Sequence, residues 1–383
     1  MQQSRVDLID SLRGYALMGL FLIHMIEYYE VYWLNPIPHP LNSALFALFG
    51  GKAFAIFALL FGVSFFILLN NQQNRGVDFR ARFIWRLGLL LAVGYVHSLL
   101  YGGDILQVLA ICGVLLVPLW RAPQLVVLML GVFFLLQGPV WLLAMWISYS
   151  ADSAQPLFPQ FDNVLRVYAE GSLGQLVLIN ALDGNARKWF FMLESGRLWT
   201  VIGMSLLGFW LARLQIFTQQ AQSQKRFFVG LICCVLVAVP LFLAEDLIKS
   251  HYSSLKTQGV LLRIFNAYFN LALTLASVCI FVLLYQTRLQ ILLRYLAFPG
   301  RMTLSIYLAQ SILCVPIFYG FGLAAWMYLG QVNSFLLGVF LWIAQILAAR
   351  WWFKHYRYGP VEWLWRACTY TRSDIPFKRD TEV

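Results

Sequence analysis

The sequence predicts an all-α polytopic integral membrane protein with about ten transmembrane helices, and three observations support this fold class. Of its 383 residues, 61% are apolar and only 12% are charged, whereas a soluble domain usually carries roughly 25% charged residues. The apolar residues fall in long runs, most of them near the ~20 residues that a membrane-spanning helix needs. The aromatic content of 16%, with 14 Trp and 18 Tyr, is typical of aromatic belts at two membrane surfaces.

The apolar runs give the candidate spans in order along the chain. They are Leu12–Tyr32, Ala44–Leu69, Phe83–Tyr101, Ile105–Trp120, Leu125–Tyr149, Trp189–Leu214, Phe227–Leu247, Val260–Tyr285, Met302–Phe321 and Ser334–Trp352. The fourth run is short, and the tight turn Gly102-Gly103-Asp104 before it predicts a helical hairpin. Residues 1–370 are predicted to form a single transmembrane domain. It includes an extracytoplasmic loop at 151–188, able to form amphipathic helices, and is followed by a flexible cytoplasmic tail at 371–383.

The basic residues predict that both termini lie in the cytoplasm. All but eight of the 28 Lys and Arg residues fall on the side of the N-terminus when the runs are counted in order, as the positive-inside rule requires. The net charge of +11 therefore follows from topology and does not indicate nucleic acid. No cleavable signal peptide is evident. The chain is predicted to be a multi-pass protein of a bacterial inner (plasma) membrane, with membrane lipids as its partners.

Familiar soluble-enzyme motifs and metal sites are not predicted. The six cysteines form no CxxC pair, so neither a disulfide framework nor a bound metal is expected. The sequence contains no GxGxxG, Walker P-loop, GxSxG or HExxH motif. Hydrolysis of ATP by this chain is therefore not expected.

The first predicted helix carries an ionisable stripe of Asp10, Arg13, His24 and Glu27. Ionisable groups in membrane helices are costly and commonly functional. Arg13 and His24 lie on one face, about 16 Å apart at ~1.5 Å rise per residue. In the functional interpretation, Arg13 binds a phosphate at the cytoplasmic mouth and His24 acts as general base or acyl carrier. In the alternative, Asp10 and Arg13 form a structural ion pair and His24 is a satisfied core histidine.

A second group of polar residues is predicted in the outer half of the membrane. Counting from the helix ends places His24, Glu27, Lys52, His97 and Asp104 at similar depth. A lysine and two histidines beside two carboxylates favour proton handling or acyl transfer. In the alternative, Lys52 extends outward to the membrane surface and Asp104 caps the fourth helix.

Other polar residues carry weaker predictions. Arg301, beside Pro299-Gly300, is a candidate ligand for an anionic group. Glu194 and Arg197 are three residues apart and form a candidate ion pair. Gln310 and Gln345 are candidates for bridging two helices.

Seven short motifs spread over the chain carry a family resemblance. They are Asp10–Ala16, Phe54–Gly62, Gly94–His97, Asp104–Leu106, Phe298–Ser311, Phe318–Gly322 and Tyr358–Arg366. They resemble the YeiB-like family of bacterial inner-membrane proteins, whose C-terminal half is a domain of unknown function. The resemblance covers nearly the whole chain.

This family is distantly similar to a superfamily of transmembrane acyltransferases. The superfamily includes the lysosomal heparan-glucosaminide acetyltransferase and the acyltransferase three family. The resemblance implies that the acyl donor is cytoplasmic acyl-CoA (acetyl-CoA) and that the acceptor is a glycan or small molecule across the membrane. In the acyltransferase three family, an Arg and a His with ten residues between them mark the first helix. Arg13 and His24 match that spacing.

The leading hypothesis is an acyltransferase that moves an acyl group from cytoplasmic acyl-CoA to an extracytoplasmic or membrane-embedded acceptor. The predicted catalytic residues are His24, His97, Asp10 and Glu27, the predicted donor-binding residues are Arg13 and Arg301, and the other polar cavity residues are Lys52 and Asp104. The alternative is a transporter or exporter of a small metabolite, which needs the same buried stripe without CoA. A third hypothesis is a structural or regulatory subunit of a membrane complex.

Overall fold

The computed structural model describes residues 2–142, 161–216, 220–251, 255–372 and 374–379. Within these residues the chain forms α-helices and short helical turns, with one isolated β-bridge between Tyr356 and Lys378. The predicted all-α class is confirmed. The end of the predicted span Leu125–Tyr149 and the first part of the predicted loop 151–188 lie outside the described residues.

The helices are numbered in chain order. They are α1 (Gln2–Ile26), α2 (Pro40–Leu48), α3 (Ala53–Gln73), α4 (Arg80–Ser98), α5 (Leu106–Leu116), α6 (Gln124–Leu135), α7 (Asp162–Glu170), α8 (Leu173–Ile179), α9 (Asn185–Glu194), α10 (Arg197–Arg213), α11 (Gln220–His251), α12 (Leu255–Tyr285), α13 (Gln290–Arg301), α14 (Thr303–Phe318), α15 (Gly330–His355) and α16 (Pro360–Tyr370). Local sequence sets several of these boundaries. Pro40 occupies the first turn of α2, and Ser172 with Gln175 forms a capping box on α8.

Five stretches of the described chain are long and apolar enough to cross a membrane. They are Asp7–Ile26, Pro40–Gln73, Gln224–His251, Gln258–Tyr285 and Gly330–His355. A sixth is added if α13 and α14, which meet at a bend of 79°, form one broken span. The protein is thus a multi-helix membrane protein. The predicted total of ten spans, and the cytoplasmic position of both termini, stay predictions.

The bundle is organised around α1, which packs against α3, α13, α14 and α15. Next to it, α3 and α10 approach each other closely because glycines face the opposing backbone. A Cβ added at Gly62 would lie 1.9 Å from the carbonyl oxygen of Ser205, and one at Gly208 would lie 1.9 Å from that of Leu59. Small residues allow such approaches between membrane helices.

Helices α11 and α12 form a long hairpin at the side of the bundle. Helix α11 packs along α12, while α12 makes only small contacts with α1, α3 and α10. One of these contacts joins Tyr15 Oη and Ser277 Oγ at 2.9 Å. Large apolar side chains such as Leu236 and Phe242 are exposed along α11, and membrane lipid is the medium that suits such a surface.

The C-terminal residues return to α15 and α16. The backbone N–H of Arg357 donates to the carbonyl oxygen of Phe377, and Nε1 of Trp363 donates to that of Ile375, both at 2.9 Å. Helix α16 in turn packs on α4 and α14. The division into a domain at 1–370 and a flexible tail at 371–383 stays a prediction.

Candidate active site

One cavity, which we call the Arg13 cavity, lies at the end of the bundle where α1 begins. It has a volume of about 310 Å³. Its charged lining consists of Arg13, Arg86, Arg301 and Glu362. Its walls are apolar, with Phe57, Phe61, Leu87, Leu90 and Leu109 among them. Three guanidinium groups therefore face one narrow space that is otherwise hydrophobic.

Two carboxylates hold two of these guanidinium groups in place. Arg13 Nη1 donates to Asp10 Oδ1 at 2.7 Å, and Arg13 Nη2 donates to Ser64 Oγ at 2.6 Å. Arg301 forms ion pairs with Asp7 and, through Nε at 3.4 Å, with Asp10 Oδ2. The predicted Asp10–Arg13 pair is therefore present, and it positions a guanidinium group that still lines the cavity.

Arg86 is a third cation that the sequence analysis did not select. Its guanidinium carbon lies 3.5 Å from the centroid of the Trp365 ring, and Trp365 Nε1 donates to the Arg86 carbonyl oxygen at 2.9 Å. Within the described residues its side chain makes no hydrogen bond, so its N–H groups remain available to a ligand. Nearby Glu362 accepts hydrogen bonds from the N–H groups of Leu304 and Ser305, and burial raises the pKa of its carboxyl.

The second cavity, which we call the His24 cavity, lies at the opposite end of α1. It has a volume of about 460 Å³. Its polar lining consists of His24, Glu27, Glu30, Tyr101, Asp104, Arg187, Lys188 and Arg197. This end therefore combines both signs of charge with imidazole and phenol groups, which are the side chains that move protons.

His97 and Asp104 form a buried dyad beside this cavity. His97 Nδ1 lies 2.9 Å from Asp104 Oδ1, with 3% and 0% of their side chains exposed. Asp104 Oδ2 accepts the backbone N–H of Gln107 at 3.0 Å, which confirms its predicted capping of α5. Within the described residues, His97 Nε2 is buried without a hydrogen-bond partner. An imidazole whose Nδ1–H is held by a carboxylate carries its free lone pair on Nε2.

His24 faces the cavity from α1 and contacts a different set of groups. Its Nδ1 lies 3.0 Å from Tyr101 Oη and 3.8 Å from Glu27 Oε2. Glu27 is itself fixed, since its Oε1 accepts Trp33 Nε1 at 2.9 Å. His24 is therefore held on one ring nitrogen by a phenol, with a carboxylate close by.

A left-handed turn after α1 carries the acidic residues into the His24 cavity. Tyr28, Tyr29 and Glu30 have φ angles of 49°, 53° and 83°. Such φ values are uncommon outside glycine and cost of order 1 kcal/mol or more each, so they persist only where surrounding contacts hold them. Here Tyr319 Oη donates to the Tyr29 carbonyl at 2.9 Å, and Glu30 Oε2 accepts Arg187 Nη1 at 2.5 Å.

A network of amides, also missed by the sequence analysis, supports the dyad. Gln107 Nε2 and Lys188 Nζ both donate to Asn185 Oδ1, at 3.0 and 2.9 Å. A π-helical turn, Asn180–Gly184, precedes α9 and buries Asn180. π-Turns are frequent at functional sites. Burial lowers the pKa of Lys188 to about 8.

The two cavities approach each other inside the bundle. Leu20 and Ile105 line both of them. Tyr307 lines the Arg13 cavity, and its ring centroid lies 4.9 Å from that of His97. His97 itself lines neither cavity, but it contacts one lining residue of each, Asp104 on the His24 side and Tyr307 on the Arg13 side.

Lys52 lies elsewhere than the sequence analysis placed it. It neither extends outward nor lines the His24 cavity. It is buried, and its Nζ donates to the carbonyl oxygens of Phe46 and Gly50 and to Asn270 Oδ1, at 3.2, 2.9 and 2.8 Å. Three acceptors satisfy its three N–H donors. Its contacts therefore tie α3 to α12.

Two other predicted pairs have different outcomes. Glu194 does not pair with Arg197, because its Oε1 accepts Arg263 Nη2 at 2.9 Å. Gln310 and Gln345, each predicted as a residue that could bridge helices, are found paired with one another, with Gln310 Nε2 donating to Gln345 Oε1 at 2.8 Å.

Comparison with known protein families divides the chain into two halves. Residues 5–165 match the catalytic region of heparan-alpha-glucosaminide N-acetyltransferase. Residues 211–372 match a family described as a protein of unknown function, DUF418. The half that carries Arg13, His24 and His97 is thus similar to a membrane acetyltransferase.

Two similar bacterial proteins match the chain over nearly its whole length. Uncharacterized protein YeiB of Escherichia coli K12 is 28% identical over 381 residues, which cover 94% of this chain and 95% of the relative. Uncharacterized protein YxaH of Bacillus subtilis 168 is 25% identical over 418 residues, covering 100% of this chain and 98% of the relative. These matches confirm the predicted resemblance to the YeiB-like family of membrane proteins.

Proposed function

We propose that the protein transfers an acyl group from acyl-CoA, bound in the Arg13 cavity, to an acceptor in the His24 cavity. In this proposal the Arg13 cavity faces the cytoplasm of a bacterial cell and the His24 cavity faces the opposite side of the inner membrane. The observation that carries the proposal is that Leu20 and Ile105 line both cavities. The similarity of residues 5–165 to an acetyltransferase catalytic region supports the same conclusion.

The Arg13 cavity has the chemistry that an acyl-CoA requires. Arg13, Arg86 and Arg301 would bind the phosphates, since guanidinium groups bind phosphate oxygens through paired hydrogen bonds. The apolar walls suit the pantetheine arm and a short acyl chain. Asp10, predicted as catalytic, acts here as a positioning residue because it holds both Arg13 and Arg301.

The transfer step is assigned to the histidines where the cavities approach. The hydroxyl oxygen or amine nitrogen of the acceptor attacks the thioester carbonyl carbon and the carbon–sulfur bond breaks. His97 Nε2 accepts the acceptor's proton, and Asp104 stabilises the imidazolium that forms. That proton then passes to the leaving sulfur to give the CoA thiol. His24, held by Tyr101, orients the acceptor and shares in the proton transfer.

The test uses the purified protein in lipid nanodiscs with radiolabelled acetyl-CoA. We expect saturable binding of acetyl-CoA, and transfer of label to added hydroxyl or amine acceptors that falls in His24→Ala. His355→Ala is the matched control, since His355 is an exposed histidine on α15. Absence of acetyl-CoA binding, together with equal transfer by both variants, would contradict the proposal.

The two opposed cavities also suit a transporter of a small metabolite, in which Leu20 and Ile105 would form the barrier between them. The distinguishing measurement is flux into proteoliposomes. Solute uptake that proceeds without acyl-CoA would favour the transporter.

A further inference from the structure

A third cavity, which we call the lateral pocket, opens beside the His24 cavity. It has a volume of about 560 Å³ and lies where the α2–α3 junction, the start of α10 and the middle of α12 come together. Phe46, Phe54, Phe191 and Arg197 line both the lateral pocket and the His24 cavity. The two spaces are therefore neighbours that share a wall of side chains.

The outer wall of the lateral pocket is α12, which is held loosely to the bundle. Its extensive contact is with α11, and its contacts with α1, α3 and α10 are small. Lys52, at the start of α3, attaches α12 to the bundle, because its Nζ donates to Asn270 Oδ1 at 2.8 Å. Beyond the wall, α11 exposes almost its entire apolar stretch Gln224–His251. The pocket is therefore a side opening of the bundle that borders on lipid.

With Tyr285, the last residue of the candidate span Gln258–Tyr285, at one membrane surface, the depth of the pocket assigns it to the opposite leaflet. Asn270 lies about 22 Å from the Tyr285 end of α12 at ~1.5 Å rise per residue, and the hydrocarbon core is about 30 Å thick. Asn266 and Arg263 lie one and two turns nearer to the far surface. The pocket therefore opens where the chains of the leaflet on the His24 side meet their headgroups.

Arg197 supplies a cation that makes no direct contact with a carboxylate within the described residues. Its guanidinium carbon lies 5.4 Å from the Phe54 ring centroid and 4.7 Å from that of Phe191. Within the described residues it forms no ion pair and no hydrogen bond, whereas Arg263 at the rim is bound to Glu194 at 2.9 Å. A cation at membrane depth is costly unless an anion accompanies it.

The carboxylates of the adjoining cavity, Glu27 and Glu30, attract Arg197 from a distance, and each has a nearer hydrogen-bond partner. Glu27 accepts Trp33 Nε1 at 2.9 Å, and Glu30 is paired with Arg187. An anionic group that enters the lateral pocket would therefore find the guanidinium N–H groups of Arg197 free of hydrogen bonds to the described residues.

We propose that the acceptor is a membrane amphiphile with a phosphate-bearing head, and that it enters between α10 and α12 with Arg197 as its phosphate ligand. This inference rests on the proposed function and names its acceptor class and route. The alkyl chain would lie in the leaflet along a groove at Asn266 that is lined by Leu241, Phe242, Leu262, Phe265 and Phe269 and by Glu245, which is paired with Lys249. The hydroxyl or amine of the head would extend past Arg197 into the His24 cavity.

The transfer to such a head is balanced without any additional reactant. A bond forms between the head's oxygen or nitrogen and the acyl carbon, and the carbon–sulfur bond of acyl-CoA breaks. The proton of the head group leaves through the histidines and reaches the sulfur, which departs as the CoA thiol. The acylated amphiphile then returns sideways to its leaflet.

The experiment measures the binding of two ligands in parallel on protein in dodecyl maltoside micelles, because this detergent carries no phosphate. Phosphatidylglycerol, which carries a phosphate and head hydroxyls, is the lipid probe, with bound lipid counted by native mass spectrometry. Acetyl-CoA binding is measured on the same samples. For Arg197→Gln we expect phosphatidylglycerol binding to weaken about tenfold or more, as for the loss of a charge-assisted hydrogen bond. We expect Arg197→Lys to restore part of it.

A second pair of variants tests the route and leaves Arg197 unchanged. Ala267→Trp fills the lateral pocket from α12, and Ile280→Trp adds the same ring at an exposed site on α12 outside it. We expect Ala267→Trp to abolish phosphatidylglycerol binding with acetyl-CoA binding intact. Ile280→Trp should change neither binding.

The outcomes separate the inference from the function on which it rests. Equal lipid binding by the protein, Arg197→Gln and Ala267→Trp would overturn the lateral site. A different pair of results would indicate a soluble anionic acceptor and overturn the lipid route. In that case millimolar sn-glycerol 1-phosphate would displace the bound lipid, and Ala267→Trp would leave lipid binding unchanged. If the unsubstituted protein binds phosphatidylglycerol at Arg197 but does not bind acetyl-CoA, the acyltransferase proposal is overturned and the lipid site stands.

Discussion

The Arg13 cavity and the His24 cavity are built from different chemistry, although a single helix passes both. The Arg13 cavity has guanidinium groups fixed by Asp7 and Asp10 and walls of apolar side chains. The His24 cavity is lined by His24, Tyr101 and charged groups of both signs, and the His97–Asp104 dyad lies behind it with the amides of Gln107 and Asn185. The first arrangement places fixed charge, and the second can move a proton. Changes at the two ends should therefore have separable effects.

The largest effect is expected at the His24 end. His97→Gln removes the Nε2 base, and we expect the rate of acyl transfer to fall by about 10²- to 10⁴-fold, the usual contribution of a general base. Acetyl-CoA affinity should not change, because His97 does not line the Arg13 cavity. Single-turnover transfer and equilibrium binding measure the two quantities. If acetyl-CoA affinity fell as much as the transfer rate, the two cavities would not have separate roles.

At the Arg13 end we expect weaker binding of acetyl-CoA with an unchanged transfer rate. Arg86→Ala removes a guanidinium group, and we expect acetyl-CoA affinity to fall about 10- to 100-fold, as for a lost charge-assisted hydrogen bond. The transfer rate at saturating acetyl-CoA should be preserved. Arg82→Ala is the matched control, because Arg82 lies on the same helix outside the cavity lining and contacts Tyr370. Equal losses in both variants would argue against a specific phosphate site.

A change in the seam between α3 and α10 should not distinguish the two ends. Gly62→Ala places a methyl group against the carbonyl oxygen of Ser205, and overpacking of this kind costs about 1–3 kcal/mol. We expect a lower thermal unfolding midpoint in detergent. Gly88→Ala is the control, since no atom lies within 4 Å of the added Cβ. A Gly62→Ala protein as stable as Gly88→Ala would show that the seam relaxes readily.

The smallest effect concerns pH and the amide network of the His24 end. Burial lowers the pKa of Lys188 from 10.5 to about 8. Between these values the unfolded chain holds a proton that the folded protein has released, so stability should rise with pH across that window. Lys188→Met should lose this rise, which amounts to a few degrees in the unfolding midpoint. Thermal scans at several pH values compare the two proteins, and parallel curves would refute the assignment.

Much of the fold and part of the site follow from local sequence. Apolar run length predicts the long helices, and the Gly-Gly-Asp turn predicts the hairpin that brings His97 to Asp104. The Asp10–Arg13 pair follows from helical spacing. These contacts span few residues, so periodicity and turn chemistry suffice to locate them.

The missed residues depend on packing between distant segments. Asn185 and Lys188 reach the dyad because α9 folds back onto α4 and α5, and Arg86 gains its role from the stacking of Trp365. The partner of Lys52 was missed for the same reason, since Asn270 is 218 positions away. A single sequence carries no signal for contacts between residues that are so far apart in the chain. The π-turn at Asn180–Gly184 ends in Asp183-Gly184, a dipeptide that marks turns in general and does not distinguish a π-helical turn.

The left-handed turn at Tyr28–Glu30 has a consequence for engineering this protein. A glycine at position 30 would relax the backbone but would leave Arg187 without its carboxylate. At position 30 the backbone conformation therefore favours glycine, whereas the ion pair with Arg187 requires a carboxylate. Attempts to raise the heat resistance of the molecule by consensus loop design should leave these three positions untouched.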